Sequence, residues 1–218
     1  MTDAELVDVS DVVEVAEAAE VRRPGRPRSA EADEAILEAA VELFAEVGLE
    51  SLTVEGVAAR AGVGKATIYR RYPCKVDLVV AAARCFTQGP ELPPDTGSTR
   101  GDLRELVDGL IELLTTTPLG RVLPILVAAR TRVAELDRAY ADIVAEKRAR
   151  NMIVVRRAIE RGDLRPDVDP ELVIDSYVSP IFYRFLVTNA ALDEEFAASL
   201  VDATLRAFGS SRGGARLP

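Results

Sequence analysis

Between residues 60 and 75 the chain carries Arg60, Lys65, Arg70, Arg71 and Lys75 and no acidic residue, with Tyr69 and Tyr72 set among them. Cations mounted on a rigid element neutralise phosphate, and tyrosines add flat, hydrogen-bonding faces. The bland alternative is a solvated helix with a surplus of arginine. Other chemistry is scarce. The chain has no histidine, which removes Ser–His–Asp and Cys–His nucleophile systems and His-based metal sites together. There is no glycine-rich phosphate loop and no cluster of metal ligands, so no catalytic residue, cofactor or metal is expected and the chain reads as a non-enzyme. Cys74 and Cys85, placed on one helix, would stand about 16 Å apart at 1.5 Å per residue, beyond disulfide reach. Reduced thiols in a cytoplasmic protein are expected, with Cys74 either capping a helix or, beside Arg71 and Lys75, acting as a redox-sensitive thiol.

Local signals say what must hold the cations. Thr53 is an N-cap candidate, and Val54, Val57, Ala58 and Ala61 behind it form the stripe of a short amphipathic helix. Gly62-Val63-Gly64 breaks the pattern, since glycine takes the positive φ that ends a helix. A second short helix follows over residues 65–72, with Ile68, Tyr69 and Tyr72 on one side, and Pro73 stops it. Two short helices joined by a glycine turn make a helix-turn-helix, whose second helix can enter a DNA major groove.

Phe44, Gly48, Thr53-Val54, Val57-Ala58, Ala61-Gly62-Val63, Lys65, Thr67-Ile68-Tyr69, Tyr72 and Lys75 together resemble the DNA-binding domain of the TetR family of bacterial transcriptional regulators, in its AcrR-like form. Two positions depart from the pattern. The turn ends in Gly64 where serine is usual, removing a capping hydroxyl, and Arg70-Arg71 replace the aromatic and histidine common after the first tyrosine. The resemblance implies a homodimer that docks one helix 65–72 per subunit on a palindromic double-stranded operator. It further implies a small-molecule effector bound among the later helices. The candidate DNA contacts are Arg26, Arg28, Thr53, Gly64, Lys65, Thr67, Tyr69, Arg70, Arg71 and Lys75. Thr53, Arg71 and Lys75 are expected on phosphates, Lys65, Thr67, Tyr69 and Arg70 at base edges or adjacent phosphates, and Tyr72 mainly in packing.

Composition sets the frame. Apolar residues make up 48% of 218 and recur with helical period, which indicates an all-α fold. The expected plan is an N-terminal three-helix helix-turn-helix domain followed by a C-terminal helical ligand-binding and dimerisation domain. Net charge is −9, but seven acidic residues and no basic one lie in residues 1–21, so the remainder carries −2. That acidic segment reads as a disordered tail, either solvated or folded back onto the basic helix. Residues 22–28 hold four arginines and two prolines, an extended cationic arm suited to phosphates or a narrow minor groove. Domain limits of 22–80 and 81–210 follow, with a flexible tail at 211–218. No apolar run approaches the eighteen residues of a membrane span, and no membrane partner is expected.

Ser29 is the expected cap of the first long helix, with Ile36, Ala40, Leu43, Phe44 and Val47 as its stripe and Gly48 at its end. Val76, Val79, Val80, Ala83 and Phe86 mark a fourth helix, and residues 88–101 a loop. Beyond it, helices are expected over 102–117, 121–134, 135–161, 171–189 and 193–208. Leu136, Tyr140, Ile143, Ile153 and Ile159 should face inward in the third of these. The segment 179–188 is aromatic and apolar almost all round, so it needs a second partner besides its own core. The resemblance makes that partner the other subunit, through Ile181, Phe182, Phe185, Leu200 and Thr204. Pro180 should bend the helix and open a pocket. Its candidate residues are Phe86, Leu110, Leu113, Leu126, Tyr140, Tyr177 and Tyr183, and the apolar lining favours a hydrophobic effector. Two other readings compete with the regulator: a small-molecule-binding protein or enzyme with a vestigial helix-turn-helix, and an architectural protein without an effector.

Overall fold

The computed structural model describes residues 28–87 and 92–210, with side chains from residue 30 onward. The acidic segment, Arg26 and the tail at 211–218 lie outside the described residues, as does the side chain of Arg28. The order is α1 (Arg28–Ser51), α2 (Val54–Ala61), α3 (Lys65–Tyr69), α4 (Lys75–Thr87), α5 (Thr99–Thr116), α6 (Pro118–Arg130), α7 (Ala134–Glu160), α8 (Pro170–Tyr183), a π-helical turn (Arg184–Thr188) and α9 (Glu194–Phe208). Among the described residues there is no strand, only an isolated antiparallel bridge between Leu164 and Gly209.

The helix ends follow from their capping residues. Thr53 Oγ1 accepts from the Gly56 amide at 3.1 Å, and Gly62 closes α2 in the left-handed region at φ 67°. Ser98, Thr117, Asp169 and Asp193 cap α5, α6, α8 and α9 through their side chains. Gly64 precedes α3 with no side-chain cap. Helix α1 begins at Arg28, which puts Ser29 inside the helix rather than before it. Helix α5 begins at Thr99, three residues ahead of the expected start, because Ser98 supplies the cap. The expected single helix over 171–189 gives way after Tyr183 to the π-helical turn. Pro180 cannot donate within α8, and the wider winding follows it by one turn.

Among the described residues two apolar cores result. The first gathers Ile36, Phe44, Leu52, Val57, Ile68 and Leu78 from α1 to α4 with Val122 and Leu126 of α6 and Leu136 and Ile143 of α7. The second joins Leu103, Val107, Val155, Ile174, Tyr177, Ile181, Leu200 and Val201 of α5 and α7 to α9. Tyr140 packs against both. Helix α4 runs unbroken through residues 80 and 81, and its Leu78, Val79, Ala82 and Ala83 are buried in the first core. Val47 and Ile153 were expected inside but stand 42% and 49% exposed. Each stripe is rotated, toward Ala39 and Val41 in α1 and toward Val154, Val155 and Ala158 in α7. Helices α5 and α6 meet at 86°. Gly120 makes that corner, since a Cβ there would sit 1.9 Å from the Leu114 carbonyl oxygen.

A buried polar network clamps the opposite end of α5. Asp102, fully buried, accepts from the Thr96 amide (2.7 Å), the Thr96 hydroxyl (2.8 Å) and Arg161 Nη2 (2.8 Å). Arg161 also donates to Thr99 Oγ1 at 3.0 Å, and Thr99 donates to Asp163 at 2.7 Å. Burial pushes the Asp102 carboxyl up, but the hydrogen bonds from Arg161 and Thr96 outweigh it and hold the group below the usual carboxylate range. Asp102→Ala should therefore lower the unfolding free energy by about 2–4 kcal/mol at pH 7, read by urea denaturation. The folded pKa is depressed, so this stabilisation is complete above the unfolded value near 3.8 and is lost as pH falls through the folded one. The gap between wild type and variant should close correspondingly in acid. Gly64→Ser supplies the missing cap where a side chain meets open space, and should raise stability by about 0.5 kcal/mol.

Candidate nucleic-acid interface and the cavity behind it

The basic stretch divides into scaffold and surface. Arg60 pairs with both carboxylate oxygens of Glu46, at 2.8 and 2.7 Å, and so bolts α2 to α1. Its hydrogen bonds hold the Glu46 carboxyl below its ordinary range and raise the guanidinium in turn. Arg71 pairs with Asp33, tying the end of α3 to α1. Lys75 Nζ donates to the carbonyls of Glu50 (2.9 Å) and Leu52 (3.3 Å), capping the end of α1 from the start of α4. Three of the five cations thus hold α2, α3 and α4 against α1.

What remains faces outward. Ile68, fully buried, is the anchor of α3; at about 2 kcal/mol for such a side chain it is the main hold on a five-residue helix. Lys65, Ala66, Tyr69 and Arg70 are exposed and Thr67 is half-buried, while Tyr72 packs on the first core. Tyr69, expected beside Ile68, therefore lies on the open face at 48% exposure. Lys65 meets Glu55 at 3.1 Å across the turn. Arg70 has no ion-pair partner among the described residues. Thr53 and Gly64 lie exposed on either side of the turn. The result is a ridge of exposed hydrogen-bonding side chains on a short helix, the kind of element that a major groove admits.

Cys74 and Cys85 are both exposed free thiols, and Cys74 donates to Asp77 Oδ2 at 3.2 Å, at the start of α4. Among the described residues no group of His, Cys, Asp and Glu could hold a metal ion, and no single helix is long and apolar enough to cross a membrane.

A cavity of about 710 Å³ lies among α4 to α8. Of the residues named for the pocket, Leu110, Leu113, Leu126, Tyr140 and Tyr177 line this cavity, and Phe86 and Tyr183 do not. Phe86 packs into the first core, and Tyr183 is 60% exposed on the outer face of α8. The same wall holds residues that sequence reasoning passed over: Ala83 and Thr87 of α4, and Lys147 and Asn151 of α7. Tyr140, Val144, Lys147 and Asn151 recur at helical spacing, a signal hidden in the sequence by the charged run around them.

The five residues proposed for the subunit interface separate. Ile181, Leu200 and Thr204 are buried inside the subunit, and Thr204 donates to the Leu200 carbonyl at 3.0 Å. Phe182 lines the large cavity, and Phe185 a second recess of about 550 Å³ at the α5–α6 corner. The apolar side chains left on the surface of α8 and the π-helical turn are Leu172, Tyr183, Leu186 and Val187.

Residues 36–88 match the family model described as bacterial regulatory proteins of the tetR family, and residues 93–204 match a tetracyclin repressor-like C-terminal domain. An uncharacterised HTH-type transcriptional regulator of Bacillus subtilis, YdeS, is 34% identical over 81% of this chain and 89% of its own length. The DNA-binding transcriptional repressor TetR of Mycobacteroides abscessus is 31% identical over 83% and 93% respectively. Among solved structures, the TetR family transcription regulator SCO0332 superposes with a TM-score of 0.60 at 32% identity, over 81% of this chain and 97% of that one. With the capped helix-turn-helix, its exposed ridge and the helical body all in place, the chain belongs to the TetR family of helix-turn-helix transcriptional regulators.

Proposed function

We propose that the protein is a homodimeric repressor, released from a palindromic operator by a small molecule bound in the α4–α8 cavity. The observation that carries this reading is the cavity wall itself. Ala83 and Thr87, on the last turns of α4, line it, while the other end of the same helix follows α3 in the chain and is tied through Lys75 to the end of α1, against which the turn unit packs. A ligand pressing on Ala83 and Thr87 would tilt α4 and so change the separation of two α3 ridges. Effector and operator then oppose each other by the same factor in both directions.

On DNA, Lys65, Thr67, Tyr69 and Arg70 address base edges and nearby phosphates, and Thr53 and Gly64 approach the backbone. Arg71 and Lys75 act mainly by holding that ridge in place, a change from the phosphate role their charge implied. Arg26 and Arg28 belong to the arm proposed for the minor groove. The second subunit covers Tyr183, Leu186 and Val187, with Phe182 and Phe185 half-buried beneath them. A largely hydrophobic effector fits the leucine-rich lining, an AcrR-like place in the family rests on the turn-unit residues, and a cytoplasmic location follows from a DNA partner.

Arg70→Ala should weaken binding to the DNA upstream of its own coding region by about 1–3 kcal/mol, roughly 5- to 150-fold, with little change on scrambled DNA. Equal weakening on both, in a fluorescence anisotropy titration, would make Arg70 a phosphate contact. Tyr183→Asp with Val187→Asp should convert the dimer to a 23.5 kDa monomer in light scattering, with the helical circular dichroism retained. A dimer that survives both substitutions would move the interface elsewhere.

A further inference from the structure

The cavity is not uniformly apolar. On α7 the stripe that lines it runs from Tyr140 through Val144 to Lys147 and Asn151, so it begins aromatic and ends polar. Opposite, on α8, Tyr177 is 1% exposed; its hydroxyl lies beside Asn151 without a hydrogen bond of ordinary geometry. A buried phenol with no acceptor is an unfavourable arrangement that a ligand oxygen could relieve. We propose that the polar end of the cavity, formed by Lys147, Asn151 and Tyr177, takes the carboxylate of an amphipathic monoanion whose apolar body lies among Leu106, Leu110 and Leu126. The assignment rests on the reading of this cavity as the effector site.

The charges around the cavity select one negative charge rather than several. Arg148 also lines it but is already committed, donating to Asp175 at 2.6 Å and also to Glu171. Arg150 reaches the Leu92 carbonyl at 3.3 Å. Lys147 alone among these cations has no hydrogen bond or ion pair among the described residues. Glu105 and Glu112 of α5, both exposed, also line the cavity, so each further anionic charge on a ligand meets added repulsion. A phosphate dianion is therefore disfavoured against a carboxylate. Burial, and then Arg150, hold the Lys147 ammonium below the ordinary lysine range, with Glu146 opposing them. Tyr177, whose phenol burial pushes up, stays protonated and can donate to the bound anion. A carboxylate between them would accept from both.

The test uses the full-length dimer and three decyl probes that differ only in the head group: decanoate, decan-1-ol and decylamine. Calorimetric titration should show decanoate binding about tenfold tighter than decanol, the size of one charge-assisted hydrogen bond, and decylamine weakest. Lys147→Met should erase the carboxylate preference while leaving decanol affinity within about twofold, and Lys147→Arg should keep it. Absence of decanoate binding, equal affinity of decanoate and decanol, or a preference that survives Lys147→Met overturns the assignment. Operator release, followed in parallel, separates this proposal from the one beneath it. Decanoate that binds through Lys147 without releasing DNA upholds the anion site and defeats ligand-released repression. Release by decanol and decanoate alike does the reverse.

Discussion

The Arg84 guanidinium, on α4, donates to Glu146 at 3.0 Å and to Asp142 at 3.2 Å on α7. On its other side the same helix sinks Leu78, Val79, Ala82 and Ala83 into the core that α1 dominates. Helix α4 is thus held by both halves of the molecule, by dispersion and apolar burial on one face and by charge on the other. The two holds differ in kind. The buried face is close-packed and resists small displacement, whereas an exposed ion pair is weak and can re-form over a range of distances. Motion is easier to accommodate at Arg84 than at Leu78, and the cavity opens beside Arg84, at Ala83 and Thr87.

The core of the N-terminal helices is shared with α6 and α7. Val122, Leu126, Leu136 and Ile143 come from α6 and α7 yet share the core of Phe44, Ile68 and Leu78. Leu126 and Ile143 also line the cavity. A molecule entering there meets the underside of the same core on which α3 is anchored by Ile68. No chain of remote contacts is needed to connect the two places, because they share side chains.

The helix-turn-helix was legible in the sequence because its signals are local. Thr53 caps within three residues, Gly62 terminates within one turn, and the buried residues of α2 recur at helical spacing. What proved illegible was everything set by distant partners. Arg60, Arg71 and Lys75 look alike in sequence to Arg70, but their partners lie on α1, between 14 and 38 positions away. Apolarity likewise could not say whose core a residue enters, so Ile181, Leu200 and Thr204 face their own subunit and Tyr183 faces out. Lys147 was invisible for a related reason, since a lysine between glutamate and arginine has the composition of a solvated face. Only the placing of α7 against α5 and α8 turns it inward.

The internal employment of Arg60, Arg71 and Lys75 bears on how the protein should respond to ionic strength. Each phosphate neutralised releases condensed counterions, with a log–log slope of about −0.9 per contact. Even with both outward cations of each α3, Lys65 and Arg70, set on phosphates, the proposed dimer makes at most roughly four such contacts and a slope no steeper than about −3 to −4. Counting all five basic residues of the stretch as phosphate ligands would more than double that. Any steepness beyond the smaller figure is then a direct gauge of the arginine-rich arm at residues 22–28, separating its grip from that of the groove-reading helices.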